Sequence, residues 1–118
     1  MYSLHLESNA IDDLKKLPKN ARNLLKKEIP KHLVRDPAGC SSTLTGPLEG
    51  FHSCHIRQYR VVFMIVKNEV WIVGVGEHSR SPETDIYRRL EELQKRGKLA
   101  GKLLSALSRL KELLAGGK

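Results

Sequence analysis

The sequence predicts an α+β fold in which an N-terminal helix hairpin packs on a small, mainly antiparallel, twisted sheet. Between residues 9 and 33, leucine and isoleucine recur at helical spacing on both sides of Pro18. Between residues 51 and 75, strand-length apolar runs are separated by short polar turns. Helices followed by strands joined through hairpins are typical of an α+β domain. A helical extension is predicted at the C-terminal end.

Composition limits the classes of protein and of partner. The chain has 118 residues, of which 40% are hydrophobic and 29% charged, and this suits one globular domain with a modest core. Its formal net charge of +8 favours a polyanionic partner such as nucleic acid, an acidic protein or an anionic surface. Two cysteines, Cys40 and Cys54, are too few for a disulfide framework. With no signal-peptide pattern and no apolar run long enough to span a bilayer, we expect a cytoplasmic protein.

A strand and two helices are predicted before residue 35. Residues 2–6 alternate apolar and polar side chains, as a half-buried strand does. Asn9 is the expected N-cap of the first helix, and Pro18 ends it. Pro30 lies inside the pattern of the second helix, so a kink or an early break is expected there. The apolar faces consist of Ile11, Leu14 and Leu17 in the first helix and of Leu24, Leu25, Ile29 and Leu33 in the second.

Three hairpin-connected strands are predicted after a loop. Residues 35–50 are rich in proline and glycine and are expected to be mostly loop, with a short strand near Thr43 and Leu44. The next strands are expected at residues 51–57, 59–66 and 70–75, with tight turns at Gln58 and at residues 67–69. The run at residues 59–66 is apolar on both faces, so it is expected to be the central strand.

Two helices are predicted after the sheet. Ser81, Pro82 and Glu83 have the composition of a helix start, with an N-cap, a proline at the first position and an acid in the first turn. Gly97 interrupts this helix, and a last amphipathic helix is expected from about Lys98 to Leu114. The apolar stripe of the first of these helices is Ile86, Leu90 and Leu93.

The last helix belongs to a C-terminal extension of residues 97–118, which follows a domain of residues 1–96. Its leucine stripe is expected to pack on the sheet or on a second copy of the chain, as in a homodimer. A basic amphipathic helix also suits a membrane surface, but this segment contains no Trp, Phe or Tyr. We therefore favour packing over a membrane role.

Five side chains around the last two strands carry groups that transfer protons or hold phosphate. Cutting RNA without a metal requires a base for the 2′-hydroxyl, cations for the charge at phosphorus and an acid for the leaving 5′-oxygen. Histidine serves as acid or base near neutral pH, arginine holds two phosphate oxygens, and tyrosine stacks on a nucleobase or donates a proton. Each residue alone is more often structural, but together they suggest RNA cleavage. The five residues are His55, Arg60, His78, Arg80 and Tyr87.

Strand alternation sorts the histidine-rich strand into two faces. Cys54 and Ile56 share one face, which is expected to pack on the helices, and Ser53, His55 and Arg57 share the other, open face. Ser53 and Arg57, with Arg88 in the following helix, are the predicted RNA contacts. A zinc site of His52, Cys54 and His55 is disfavoured, because alternation turns His55 away and no second ligand pair is present. No metal or other cofactor is expected.

Several short motifs also occur in a specific order between Tyr2 and about Leu90. They are the opening strand, Asp13-Leu14-Lys15-Lys16-Leu17-Pro18, Asp36-Pro37, Leu44-Thr45-Gly46 with Gly50, Tyr59-Arg60-Val61-Val62-Phe63, and Ile86-Tyr87-Arg88-Arg89-Leu90. Together they resemble the RelE/ParE superfamily of bacterial and archaeal toxins. The resemblance implies a RelE-like fold, with a concave basic face on a small sheet and helices behind it.

The resemblance also assigns roles to the candidate residues. His55 matches a position that is often Lys or Arg in RelE-like toxins, and Arg60 matches the arginine of their Tyr-Arg pair. Arg80 matches the arginine after the last strand, and Tyr87 the tyrosine near the C-terminus. Residues 76–79, which include His78, are similar to the Gly-Thr-His end of YafQ-like members, which use histidines for catalysis. Because residues 51–56 contain no lysine, a histidine-based mechanism is favoured over a lysine-based one.

RelE-like toxins cleave mRNA in the ribosomal A site, ParE-like toxins inhibit DNA gyrase, and both kinds are neutralised by an antitoxin. The resemblance therefore implies a ribosome-dependent mRNA endonuclease that inhibits translation, with mRNA, the ribosome and a cognate antitoxin as partners. His55 is the expected general base, Arg60 and Arg80 the phosphate clamps, and Tyr87 or His78 the acid or stacking group. The alternatives are a gyrase inhibitor without nuclease activity and a non-catalytic module that only binds an antitoxin.

Overall fold

The described residues form a five-stranded sheet with helices on both faces. The structure is a computed structural model, and it describes residues 1–81 and 84–97. The predicted α+β class is confirmed. The strands are β1 Ser3–Leu6, β2 Ser41–Thr43, β3 His52–Ile56, β4 Tyr59–Val66 and β5 Glu69–Glu77, and the helices are α1 Ser8–Lys16, α2 Lys19–Leu33 and α3 Ile86–Lys95.

The strand order is β1-β5-β4-β3-β2, which places β4 at the centre of the sheet. β1 runs parallel to β5, and the other three pairs are antiparallel. The central position agrees with the prediction from two-sided apolarity, since Val61, Val62 and Phe63 of β4 are fully buried. The short edge strand predicted near Thr43 is β2, which lies two residues earlier than expected at its start.

The helix hairpin of α1 and α2 covers one side of the sheet, here called the hairpin face. Leu25, Ile29 and Leu33 of α2 pack in one buried cluster with residues from β3, β4 and β5. Cys54 and Ile56 belong to this cluster, so strand alternation oriented β3 correctly. Burial of these aliphatic side chains is the main favourable contribution to folding on this side.

The N-terminal helices differ from the prediction in three details. α1 begins at Ser8 with Glu7 at the N-cap position, so the N-cap assignment to Asn9 is wrong. Ile11 is 38% exposed, whereas Asp13 is buried, which means that α1 is rotated from the orientation its apolar residues indicated. α2 continues past Pro30 to Leu33, so an early break there is also wrong. Pro30 lies near the end of the helix, where its missing N–H removes one hydrogen bond while its carbonyl still accepts from Val34.

Two side chains of α1 explain this rotation. β1 pairs with β5 only as far as Ile72, and beyond that point no strand among the described residues pairs with this edge of β5. The Asn9 side-chain amide donates to the Val73 carbonyl at 2.8 Å, and the Val75 backbone N–H donates to Asp13 Oδ2 at 2.9 Å. Asn9 and Asp13 are one helical turn apart, so α1 replaces the missing strand and satisfies the backbone of β5.

The other side of the sheet, here called the α3 face, was expected to be open but is partly covered by α3. Ile86 and Leu90 are fully buried against Val62 and Val73. The predicted helix start at residues 81–83 is wrong, because α3 begins at Ile86 after an N-cap at Asp85. Leu93 packs at the edge of the cluster, and the chain leaves the helix at Gly97 with a φ of 68°, both as predicted. The predicted last helix, residues 98–114, lies outside the described residues.

A β-bulge and two glycines bring α3 close to β5. Val62 pairs with Gly74 but Phe63 pairs with Ile72, so Val73 is an extra residue in β5. A Cβ atom at Gly74 would lie 2.8 Å from Leu90 Cδ2, and one at Gly76 would lie 2.9 Å from Arg89 Nη2. Because glycine has no side chain, α3 lies close to the strand, and a larger residue at Gly74 would force the buried Leu90 to shift.

Asp13 joins the two helical layers. Its Oδ1 accepts a hydrogen bond from Arg89 Nη1 of α3 at 2.9 Å, while its Oδ2 holds the Val75 N–H. The Asp13 side chain is 2% exposed and that of Arg89 is 30% exposed. A buried carboxylate with a charged partner and a backbone donor is satisfied, but removal of either partner leaves a costly unpaired group.

Replacing Asp13 with Ala should lower the free energy of unfolding by about 2–4 kcal/mol, because the Val75 N–H and the Arg89 guanidinium both lose their acceptor. Urea denaturation of the two proteins measures this difference. Asp12→Ala is the matched control, since Asp12 is the exposed neighbour in the same helix, and it should change stability by less than about 0.5 kcal/mol. Equal losses in the two variants would contradict the role given to Asp13.

Replacing Gly74 with Ala should destabilise the protein by about 1–3 kcal/mol, because the fully buried Leu90 has no free space into which it can move. The loss should be smaller when the same change is made in a Leu90→Ala background, and a double-mutant cycle of unfolding free energies measures the coupling. Additive losses would mean that α3 does not pack on Gly74.

Candidate active site

Two predicted site residues face each other across the β3–β4 hairpin. His55 of β3 pairs with Arg60 of β4, and Arg60 pairs in turn with Gly76 of β5. Residues directly opposite on antiparallel strands project from the same face, with Cβ atoms about 4.5–5.5 Å apart. His55 and Arg60 are thus neighbours on the α3 face, beyond the part that α3 covers. His55 is exposed and Arg60 is half-buried.

The tight turn between β3 and β4 produces this pairing. The strands are joined by Arg57 and Gln58 alone, and Ile56 pairs with Tyr59, so the next pair along the ladder must be His55 with Arg60. Arg57 adopts a left-handed conformation with a φ of 56°, which a non-glycine residue adopts only where a turn requires it. Arg57 is exposed at the tip of the hairpin, next to the His55–Arg60 pair.

Tyr87 lies over the sheet from the first turn of α3. Its hydroxyl and the Ser53 hydroxyl are 2.7 Å apart and share a hydrogen bond. Ser53 is 3% exposed, so this predicted RNA contact is buried beneath Tyr87 and its hydroxyl holds the tyrosine in place. Tyr87 itself is half-buried, which leaves part of its ring accessible.

His78 follows the end of β5 and contacts Asp85 and Tyr87 at the start of α3. Its Nδ1 lies 2.5 Å from Asp85 Oδ1, and its ring meets the Tyr87 ring edge to face at a centroid distance of 5.1 Å. The His78 side chain is 58% exposed, whereas that of Asp85 is 4% exposed. The contacts His78–Tyr87 and Tyr87–Ser53 therefore form one continuous group of side chains.

Asp85 is the principal residue of this group that sequence reasoning missed. Burial alone would raise the pKa of its carboxyl, but hydrogen bonds from the backbone N–H groups of Arg88 and Ser79, and from His78, lower the pKa by more. The net pKa is below the ordinary value. Aspartate is a preferred N-cap residue, which is a signal for Asp85 in the sequence, but Ser81 satisfies the same preference four residues earlier.

Within the described residues, two clefts border His78. The Arg80 cleft, lined by His78, Ser79, Arg80, Asp85 and Arg88, has a volume of about 540 Å³. The Lys16 cleft, of about 490 Å³, also includes His78 and Ser79 and extends towards Lys16 and Arg89. Arg80 and Arg88 are exposed, and neither forms an ion pair with another residue in the described part of the chain. Two such guanidinium groups suit an anionic ligand such as phosphate.

The predicted residues form two groups at one end of the sheet. His55, Arg57 and Arg60 belong to the β3–β4 hairpin, while His78, Arg80, Tyr87 and Arg88 surround the start of α3. Tyr59 at the start of β4 pairs with Glu77 at the end of β5, so both groups lie at the same end. Ser53 connects them through its hydrogen bond with Tyr87.

The three residues of the disfavoured zinc site include two that have other contacts, His52 and Cys54. His52 stacks on Phe63 with ring centroids 5.4 Å apart, and burial lowers its pKa. Cys54 Sγ lies 3.7 Å from Cys40 Sγ, and burial, together with the neighbouring Cys40, raises the pKa of Cys54 to about 12. Within residues 1–81 and 84–97, no three His, Cys, Asp or Glu side chains are placed to hold a metal ion. In the same residues, no helix is long and apolar enough to cross a membrane.

A small mixed sheet with a helix hairpin on one face and a cluster of histidine, arginine and tyrosine on the other defines a RelE-like toxin fold. The family model for the ParE toxin of the type II toxin-antitoxin system parDE matches residues 4–82. The chain belongs to this toxin family, within the RelE/ParE superfamily. The matched residues include His55, Arg60, His78 and Arg80, and they end before Asp85 and Tyr87.

Solved toxin structures support the same fold. The chain is similar to the RelBE2 toxin–antitoxin complex from Mycobacterium tuberculosis, with 26% identity over 64% of this chain and 96% of that chain and a TM-score of 0.61. It is also similar to the isolated E. coli RelE toxin, with 26% identity over 69% and 88% of the two chains and a TM-score of 0.55. The YoeB–YefM complex from Staphylococcus aureus, at 22% identity, 67% and 99% coverage and a TM-score of 0.53, shares the fold. No curated protein sequence matches the chain.

The lowered pKa of Asp85 predicts a pH-dependent contribution to stability. A carboxyl whose pKa is lower in the folded than in the unfolded chain stabilises the fold above the unfolded pKa of about 4, and this contribution disappears as the pH falls through the folded value. The difference in unfolding free energy between wild type and Asp85→Asn should therefore be largest near neutral pH and shrink below about pH 4. Urea denaturation across this pH range measures it.

The exposed Asp12 provides the control, since Asp12→Asn removes the same charge from the protein surface. If the difference in unfolding free energy between wild type and Asp85→Asn stayed constant from neutral to acidic pH, the Asp85 carboxylate would not accept the hydrogen bonds described.

Proposed function

We propose that this toxin is a metal-independent, ribosome-dependent mRNA endonuclease that inhibits translation. The observation that carries the proposal is the placement of two histidines, one at the β3–β4 hairpin and one at the start of α3, at the same end of the α3 face. Each has at least one arginine beside it, Arg60 next to His55 and Arg80 next to His78. A base, an acid and phosphate-binding cations at one site are the requirements for cleaving RNA.

The reaction begins with His55 taking the proton of the 2′-hydroxyl. The 2′-oxygen then attacks the adjacent phosphorus, the bond to the 5′-oxygen breaks, and a 2′,3′-cyclic phosphate forms. Arg60 and Arg80 stabilise the extra negative charge on the phosphate oxygens. His78, or Tyr87 in its place, donates the proton that the leaving 5′-oxygen needs.

The surroundings of the site suit RNA. Arg57 and Arg88 are exposed at its two edges, where they can bind neighbouring phosphates. The accessible part of the Tyr87 ring offers a surface on which a nucleobase can stack. The net charge of +8 attracts mRNA and ribosomal RNA, so the ribosomal A site is the proposed place of action and the cytoplasm the proposed location.

A cognate antitoxin is the proposed partner of the toxin, since the similar M. tuberculosis RelBE2 structure is a toxin–antitoxin complex. We further propose that residues 1–96 form the toxin domain and that residues 97–118 are an extension. The leucine stripe of the extension is the proposed contact with a second copy of the chain.

Gyrase inhibition is the second candidate function, and the ParE family model favours it. In that case the sheet would act only as a binding surface, and proton transfer by His55 and His78 would not be needed. mRNA cleavage distinguishes the two functions, because only the nuclease cuts mRNA.

Brief expression of the wild-type toxin should produce cuts within translated codons, which primer extension maps. His55→Ala and Arg60→Ala should each reduce cleavage by about 100-fold or more, because they remove a proton acceptor and a phosphate clamp. His32→Ala and Arg35→Ala are the matched controls, since His32 lies in the last turn of α2 and Arg35 just beyond it. α2 packs on the hairpin face, opposite the site, so both variants should retain wild-type cleavage.

Full cleavage by a folded His55→Ala or Arg60→Ala protein would overturn the assignment of that residue. Intact mRNA with growth arrest and DNA damage would establish the gyrase inhibitor instead. Intact mRNA with normal growth would leave the non-catalytic antitoxin-binding module as the function.

A further inference from the structure

We infer that Asp85 is a positioning residue that fixes the imidazole of His78 with its Nδ1 protonated and its Nε2 directed to the ligand. The inference deepens the proposed nuclease function and rests on it for its catalytic consequence. The single orientation and tautomer of His78 do not depend on the reaction.

The hydrogen bond between the two side chains determines where the proton resides. His78 Nδ1 is 2.5 Å from Asp85 Oδ1. An ionised carboxylate can only accept hydrogen bonds, so Nδ1 must carry the proton in this pair. In the neutral ring Nε2 is then the nitrogen with a free lone pair, and in the charged ring Nε2 carries the proton that can be donated.

The carboxylate is itself held rigidly. Besides His78, Oδ1 accepts from the Ser79 backbone N–H at 2.8 Å, and Oδ2 accepts from the Arg88 backbone N–H at 3.0 Å. With a side-chain exposure of 4%, Asp85 cannot rotate to follow a moving ring. Tyr87 contacts the ring from a second direction, so the imidazole plane is fixed between two groups.

Nε2 of His78 is free to meet a ligand. Among the described residues, no hydrogen-bond partner of Nε2 is present, although the side chain is 58% exposed and borders both clefts. The contrast is His5, whose Nε2 lies 3.3 Å from Glu69, with both side chains more than a third exposed. In the His5 pair the partner carboxylate is 41% exposed, whereas in the His78 pair it is 4% exposed and accepts two backbone hydrogen bonds.

Asp85 also links the position of His78 to that of Tyr87. Its Oδ2 caps α3 through the Arg88 N–H, and α3 carries Tyr87. One carboxylate therefore sets both the orientation of His78 and the start of the helix that presents Tyr87 and Arg88. Groups that hold a reacting imidazole in this way contribute through its orientation and tautomer.

The first test is nitrogen NMR of the full-length protein with labelled histidine. Near neutral pH the neutral His78 ring should be the Nδ1–H tautomer in the wild type, and this preference should be lost in Asp85→Ala. The exposed His55 ring, which has no protein partner in the described residues, is the internal reference and should not change. An Nε2–H tautomer for wild-type His78, or an unchanged tautomer in Asp85→Ala, would overturn the inference.

The second test is mRNA cleavage by Asp85→Asn, Asp85→Ser and His78→Ala, alone and combined. Asp85→Asn should slow cleavage by about 10–100-fold, and it should add no further loss in a His78→Ala background, because it acts through that ring. Serine is a good N-cap, so Asp85→Ser keeps the helix start but loses the carboxylate, and it should be as slow as Asp85→Asn.

Wild-type cleavage by Asp85→Ser would mean that Asp85 acts only as a helix cap. The same conclusion would follow if Asp85→Asn reduced cleavage as much in the His78→Ala background as in the wild type. If the wild type cuts no mRNA, the proposed function fails. The NMR measurement still decides whether Asp85 fixes His78, so the two failures are distinguishable.

Discussion

The buried carboxylate of Asp13 is the contact on which the arrangement of this toxin depends. It satisfies a backbone N–H of β5 where β1 has ended, and it receives the Arg89 guanidinium of α3. A charge is costly to bury unless every partner is present, so this carboxylate favours the observed relative position of α1, β5 and α3 over any that would leave it unpaired. That position places the start of α3 beside the end of β5, where Asp85 meets His78.

Small residues make this position possible. Arg89 passes Gly76, where a Cβ atom would come within 2.9 Å of its Nη2, and Leu90 rests on Gly74. The bulge at Val73 adds an apolar side chain beneath α3 without moving β4 from the centre of the sheet. The α3 face is therefore closed near its centre and remains accessible at the end where His55 and Arg60 lie. Closure by α3 and assembly of the site are consequences of the same packing.

Local patterns predicted those parts of the molecule that local chemistry determines. Alternation oriented β3, and two-sided apolarity placed β4 at the centre. Arg57 was predicted as the last residue of β3 but belongs to the turn, and this two-residue turn sets His55 opposite Arg60. The rotation of α1 could not be predicted, because Asn9 and Asp13 bond to backbone atoms more than 60 residues away along the chain. The start of α3 was missed for a similar reason. Ser81 and Asp85 are both acceptable caps, and contact with His78 distinguishes them.

The geometry around His78 bears on the choice between a nuclease and a gyrase inhibitor. A surface that only binds a partner gains similar affinity from either tautomer of an exposed imidazole, so it gains little from holding the ring in one state. Proton transfer requires a particular nitrogen to carry or accept the proton. Asp85 is buried, accepts two backbone hydrogen bonds and directs its remaining contact to one nitrogen of an otherwise exposed ring. This combination suits acid–base catalysis, and it supports the proposed RNA cleavage rather than gyrase inhibition.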